Sequence, residues 1–106
     1  MKPDPSSAIA GLRGGLTALY GPRLCRLILF GSQVRGDVTP HSDIDVLVVL
    51  RPPVDPFEEI ARTSLLRTEL NLRYGILLSC LFVSEYEYEQ ERSPMMLNIR
   101  REGVAV

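Results

Sequence analysis

The sequence contains few cysteines, a single histidine, no long apolar run and no excess of charge of either sign, and each shortage narrows what the chain can be. Its two cysteines, Cys25 and Cys80, sit inside apolar stretches. Neither metal-ligand spacing nor the dense even pattern of a secreted disulfide framework is present, so both are expected to be reduced, buried thiols. No segment approaches the roughly 20 apolar residues of a membrane-spanning helix. The stretch Met1 to Ser7 lacks the charged-then-apolar order of a signal peptide, which makes a cytoplasmic location the expectation. A formal net charge of -1, with acidic and basic residues interspersed, leaves no basic stripe to follow a nucleic-acid backbone and disfavours nucleic acid as a partner. The lone His41 falls in a loop, where a solvated side chain is a better reading than a metal ligand or general base.

What is present reads as one domain spanning residues 1–106, long enough to bury a modest core without a staple. Ser6 or Ser7 can cap a first helix with Ile9, Leu12, Leu16 and Leu19 at helical spacing, which Gly21-Pro22 stops. Gly14-Gly15 weakens that helix, because an interior glycine costs about 1 kcal/mol relative to alanine. Leu24 to Phe30 and Ile44 to Leu50 are short apolar runs bounded by turn residues, as buried strands are. Asp55-Pro56 opens a helix reaching about Arg73, with Phe57, Ile60, Leu65, Leu66 and Leu70 available to a sheet and Tyr74-Gly75 as its stop. A third strand is predicted from Ile76 to Val83. Ser84-x-x-Glu87 then has the form of a capping box, and Ser93-Pro94 starts a last helix that Gly103 ends. Two adjacent methionines on one turn of that helix, Met95 and Met96, cannot both face inward, so some apolar surface stays exposed and a partner surface or self-association is an open expectation. The alternation of helix and strand points to an α/β fold, a small sheet with helices packed on it.

Chemistry concentrates between the first two strands. In Leu29-Phe30-Gly31-Ser32-Gln33-Val34-Arg35-Gly36 a strand runs into a Gly-Ser turn, where unpaired backbone N–H groups suit a phosphate. A side chain at Gly31 would hold a polyphosphate away from the backbone, and the Ser32 hydroxyl can donate to a phosphate oxygen. Asp43 and Asp45 flank Ile44 at the start of a strand, so the period of two turns both carboxylates to one face, with Cα atoms about 6–7 Å apart. Two such oxygen donors, with substrate phosphates and water completing the shell, match Mg²⁺. Taken alone, the Gly-Ser pair would be an ordinary capped turn and Asp-x-Asp an ordinary strand edge. Their joint spacing should arise by chance in only about one chain in a thousand of this length. Arg35 can equally pair with Asp37 on the surface, at little energetic consequence.

Gly-Ser, ten residues, then Asp-x-Asp, with Arg35-Gly36 inside the interval and Ser42 before the first aspartate, resembles the signature of the polymerase-β-like nucleotidyltransferase superfamily, most closely its minimal single-domain branch. The leading helix, the Tyr74-Gly75 strand entry and the closing Ile99-Arg100-Arg101-Glu102-Gly103-Val104 segment resemble that branch too, so the likeness covers nearly the whole chain. The resemblance implies a small mixed sheet with helices packed on it and a Mg²⁺-dependent transfer of a nucleoside monophosphate, AMP foremost, from ATP or another nucleoside triphosphate to a hydroxyl. It further implies Asp43 and Asp45 as catalytic metal ligands, and Gly31, Ser32, Arg35 and Ser42 as nucleotide contacts. In the resembling branch such domains often act as antitoxins that pair with a helical HEPN-domain toxin and modify it. Active members generally carry a third carboxylate on a later strand, where this chain has Ser79 after Tyr74-Gly75-Ile76-Leu77-Leu78. The alternative expectation is therefore a degenerate domain that binds nucleotide or partner without transfer. Glu85 could substitute if that strand ends early, although Glu85, Glu87, Glu89 and Glu91 read better as a solvated helical face.

Overall fold

The computed structural model describes residues 3–31 and 43–106. In chain order it forms α1 (Pro5–Tyr20), a single 3-10 turn (Gly21–Arg23), β1 (Leu24–Phe30), β2 (Ile44–Leu50), α2 (Pro56–Tyr74), β3 (Leu78–Ser84), α3 (Glu85–Gln90), α4 (Pro94–Glu102) and β4 (Val104–Ala105). The strands make one mixed sheet in the order β3-β2-β1-β4. β1 runs antiparallel to both β2 and β4, whereas β2 and β3 are parallel, joined by the α2 crossover. β2 is the centre of the molecule, and Ile44 and every residue from Val46 to Leu50 are fully buried.

Two apolar clusters lie on opposite faces of that sheet. On one face Ile44, Val46, Val48 and Leu50 meet Ala8, Leu12, Leu16 and Tyr20 of α1 and Leu70 of α2. On the other, Leu47 and Val49 with Ile28 of β1 meet Met96 and Ile99 of α4. A strand buried on both faces has no polar alternation, which is why Val46-Leu47-Val48-Val49-Leu50 is a continuous apolar run. Met96 is buried and Met95 half exposed, as two neighbours on one helical turn require.

Helices α1 and α2 lie antiparallel and are tied at both ends. The Asp4 N–H donates to the Tyr74 carbonyl (2.9 Å) where α1 begins and α2 ends. Where α1 ends and α2 begins, the Tyr20 hydroxyl donates to Glu59 Oε1 at 2.7 Å, inside the protein. Arg62 Nε stands 3.4 Å from the same buried carboxylate oxygen. Burial foremost, and the bond to Glu59 next, push the Tyr20 hydroxyl well above its usual pKa. Between the ties, glycines let the helices touch. A Cβ on Gly15 would fall 2.5 Å from a Leu66 methyl, and one on Gly11 2.6 Å from a Leu70 methyl. The interior glycines that weaken α1 on propensity thus include one that sets its packing distance, while Gly14 faces open space.

Several boundaries differ from the sequence expectation. The α1 cap is Asp4, not Ser6 or Ser7: its side chain accepts from the Ser7 N–H with Pro5 in the first turn, the same Asp-Pro logic that opens α2. The buried face of α2 is Glu59, Thr63 and Leu70, leaving Phe57, Ile60 and Leu65 exposed. The Tyr20–Glu59 bond explains how a charged residue takes a core position that apolar periodicity would give to its neighbours. β3 starts two residues late, at Leu78, whose N–H is taken by Asn71 Oδ1 at 2.9 Å. The Ser84–Glu87 capping box forms as expected, and β4 is an element the sequence reading did not contain. Cys80 is buried and Cys25 only partly so; both are free thiols, and burial foremost raises their pKa values, that of Cys80 to about 11. No helix among the described residues is long and apolar enough to cross a membrane.

Candidate active site

The antiparallel register sets Phe30, the last residue of β1, beside Asp45, the second residue of β2. The parallel register sets Ser79, the second residue of β3, on its other side. Gly31 follows Phe30 with φ of 83°, a left-handed conformation that L side chains rarely adopt. A Cβ on Gly31 would overlap the Asp45 carboxylate, so the turn's backbone lies directly against that side chain. The sequence brings these groups together through strand pairing alone: the apolar run of β1 ends where the run of β2 begins, and the antiparallel ladder makes those ends neighbours.

Asp45 is half-buried, and Asp43, one residue before the strand, is exposed. Burial foremost, and then the negative charge of Asp43, raise the pKa of Asp45 above the usual carboxylate value. Two carboxylates that repel at one end of a rigid strand are the donor set a small divalent cation relieves, and a hard cation such as Mg²⁺ accepts two such ligands with substrate oxygens and water around them. Among the described residues no cluster of three or more metal-ligating side chains forms.

Of the sequence-derived site residues, Gly31 and Asp45 are in contact, and Asp43 is near enough to shift the titration of Asp45. Ser32, Arg35, Ser42 and the loop His41 lie outside the described residues. Ser79 stands where a third carboxylate would face Asp45, and its side chain is exposed. Glu85 does not replace it: Ser84 pairs with Leu50 at the opposite end of β2, and Glu85 beyond it lies close enough to the Cys25 thiol to help raise its pKa.

Leu77, just before β3, and Leu81 within it, 53% and 38% exposed, lie on either side of Ser79 in the chain and give the site an apolar margin that the sequence reading missed. Because β3 is apolar at both inward and outward positions, its alternation does not tell which side is exposed.

A family model for the nucleotidyltransferase domain matches residues 11–97. A Methanocaldococcus jannaschii protein provisionally named a protein adenylyltransferase is 36% identical over 82 residues, covering 77% of this chain and 76% of its own length. A second protein of that organism with the same provisional name is 33% identical over 64 residues, 60% of this chain and 64% of its own. Among solved structures, a toxin–antitoxin bound to AMP-PNP superposes with a TM-score of 0.62 at 21% identity, over 93% of this chain and 69% of that one. A nucleotidyltransferase-type structure from Sulfolobus solfataricus gives a TM-score of 0.53 at 22% identity, over 92% of this chain and 75% of that one. The latter two likenesses establish the fold. With the family model spanning most of the sequence, this chain belongs to the nucleotidyltransferase-domain family.

Proposed function

We propose that the protein is a Mg²⁺-dependent nucleotidyltransferase that moves AMP from ATP to a hydroxyl on a partner protein, as the antitoxin of a toxin–antitoxin pair with a HEPN-domain toxin. The observation that carries the reading is the seating of the Gly31 backbone against the Asp45 carboxylate with Asp43 alongside. In this reading the turn accepts phosphate and the two carboxylates accept a cation beside it. The names of the Methanocaldococcus relatives support AMP transfer to protein, and the solved MntA-HepT assemblies, one at 18% identity and a TM-score of 0.55, support the antitoxin setting.

In this reading Asp43 and Asp45 hold the cation, and Gly31, Ser32, Arg35 and Ser42 hold the triphosphate. Bound Mg²⁺ would supply neutralisation of phosphate charge. The chain's own work is positional: β2 fixes Asp45, the Gly31 turn admits a phosphate against the backbone, and the acceptor hydroxyl enters beside Ser79. Attack of the acceptor oxygen on the α-phosphorus forms one P–O bond as the bond to pyrophosphate breaks, and the acceptor's proton passes to solvent or to a carboxylate.

Ser79 favours a second reading, a domain that binds nucleotide and partner without transfer, because a missing third carboxylate harms chemistry more than binding. Incubation with labelled ATP, Mg²⁺ and the product of the adjacent reading frame separates them. Covalent label on the partner, lost in Asp43→Asn and Asp45→Asn, supports the transferase. Saturable ATP binding without label supports the binder, and absence of both sinks each.

A further inference from the structure

The geometry points to a second copy of this chain as the occupant of the exposed α2 surface, packed antiparallel across a two-fold axis that passes between Leu65 and Leu66. At 3.6 residues per turn, Glu58, Arg62, Leu65, Leu66, Glu69 and Arg73 fall within an arc of about 100° on α2. All but Leu66, which is partly buried, are exposed, Leu65 to 71%. The stripe borders a groove of ≈ 460 Å³ between α1 and α2, floored by Gly15 and Ala18 and walled by Leu19 and Leu66. A protruding leucine thus stands at the edge of a leucine-lined groove, and the two-fold sets Leu65 against Leu65, and Leu66 against Leu66, of the second copy.

Charge selects that occupant. In an antiparallel pair with the axis between residues 65 and 66, position 62 meets 69 of the second copy and position 58 meets 73. Both combinations join opposite charges, Arg62 with Glu69 and Glu58 with Arg73, and the symmetry makes each pair twice. A closed two-fold interface requires such self-complementarity, since each surface must match itself reversed. The exposed ion pairs set register more than affinity, and the leucines supply the burial. The acidic site is unaffected: α2 packs on the sheet face that carries Val46 and Val48, whereas Asp45 alternates to the other face, so both copies present their sites outward. This inference does not rest on the proposed activity.

Sedimentation across a dilution series tests it. The wild-type protein is expected at twice 11.9 kDa when concentrated. Glu69→Arg, which sets arginine against Arg62 of the second copy, is expected at half that mass with an unchanged circular dichroism spectrum. Arg62 also touches buried Glu59, so its reversal confounds folding with association. Mild oxidation of Leu65→Cys provides the independent readout, with rapid disulfide-linked dimer expected and little from Leu97→Cys on α4. A wild-type monomer at every concentration overturns the inference, as does a dimer indifferent to Glu69→Arg or equal cross-linking of the two cysteine variants. A monomer that holds a different protein through this face, and releases it on Glu69→Arg, overturns it too.

Discussion

Asp45→Asn preserves the shape of a side chain wedged against the Gly31 turn while deleting its charge, and the structure gives opposite consequences for stability and for binding. In the free protein the charged form of Asp45 is penalised by burial and by Asp43. Two unit charges about 7 Å apart repel by about 0.6 kcal/mol in a water-like medium and by about 2.4 kcal/mol at an effective dielectric of 20. Asp43 is exposed and Asp45 half-buried, so the lower figure is the nearer, and about 1 kcal/mol is expected once relief of desolvation is included. For a domain of this size that raises Tm by about 4 °C. On the proposed function, saturation with Mg²⁺-ATP reverses the order: at a hundredfold excess over Kd the wild-type protein gains about 2.7 kcal/mol, and a variant lacking one proposed ligand gains far less. Thermal melts with EDTA, and again with Mg²⁺-ATP, read both halves. Because the folded-state pKa of Asp45 is raised, its penalty is complete above that pKa and absent below the unfolded value of about 3.9. The advantage of the asparagine variant should therefore shrink as pH falls from neutrality through the range just above 3.9. An asparagine variant that melts below wild type in EDTA, or an order that nucleotide leaves unchanged, refutes the reasoning.

Gly31→Ala introduces a Cβ that overlaps the Asp45 carboxylate at φ of 83°. The left-handed backbone alone costs about 1–2 kcal/mol, so equilibrium urea unfolding should show at least that loss, with weakened ATP binding; unchanged stability would contradict the close approach. Tyr20→Phe removes the donor to buried Glu59 and should cost about 1.5–3 kcal/mol by the same assay, whereas a loss below about 0.5 kcal/mol would mean that water replaces the hydroxyl. Ser79→Asp adds a third carboxylate directly beside Asp45. It should lower metal-free stability by about 0.2–1 kcal/mol and raise the rate of label transfer with Mg²⁺; a rate that stays flat or falls shows that Ser79 does not limit the chemistry.

Much of the framework was readable in the chain because its signals are local. Leu24–Phe30 and Ile44–Leu50 are bounded by Gly, Pro and Asp, and both strands occur with those limits. Asp55-Pro56 and Ser84-x-x-Glu87 are caps whose hydrogen bonds involve neighbours within three residues, and both form. What escaped depends on distant partners. Glu59 takes a core position because Tyr20, 39 positions away, supplies its bond. β4 is two residues long and exists only through Ile28 and Leu29. The pairing of Asp45 with Ser79 is a register that no periodicity in either strand encodes; the resemblance alone singled out Ser79, and the fold sets it beside Asp45.

The two-sided enclosure of β2 also governs when the molecule can lose its acidic pair. Amides from Val46 to Leu50 lie between two apolar layers and two neighbouring strands, so their hydrogens should exchange with solvent only when the entire domain opens. Asp45 is anchored to that slowest-exchanging segment, and fraying at the chain ends or helix termini leaves it in place. Heating would therefore abolish the proposed cation capture in one cooperative event, coincident with the loss of helical signal, rather than by gradual loosening beforehand.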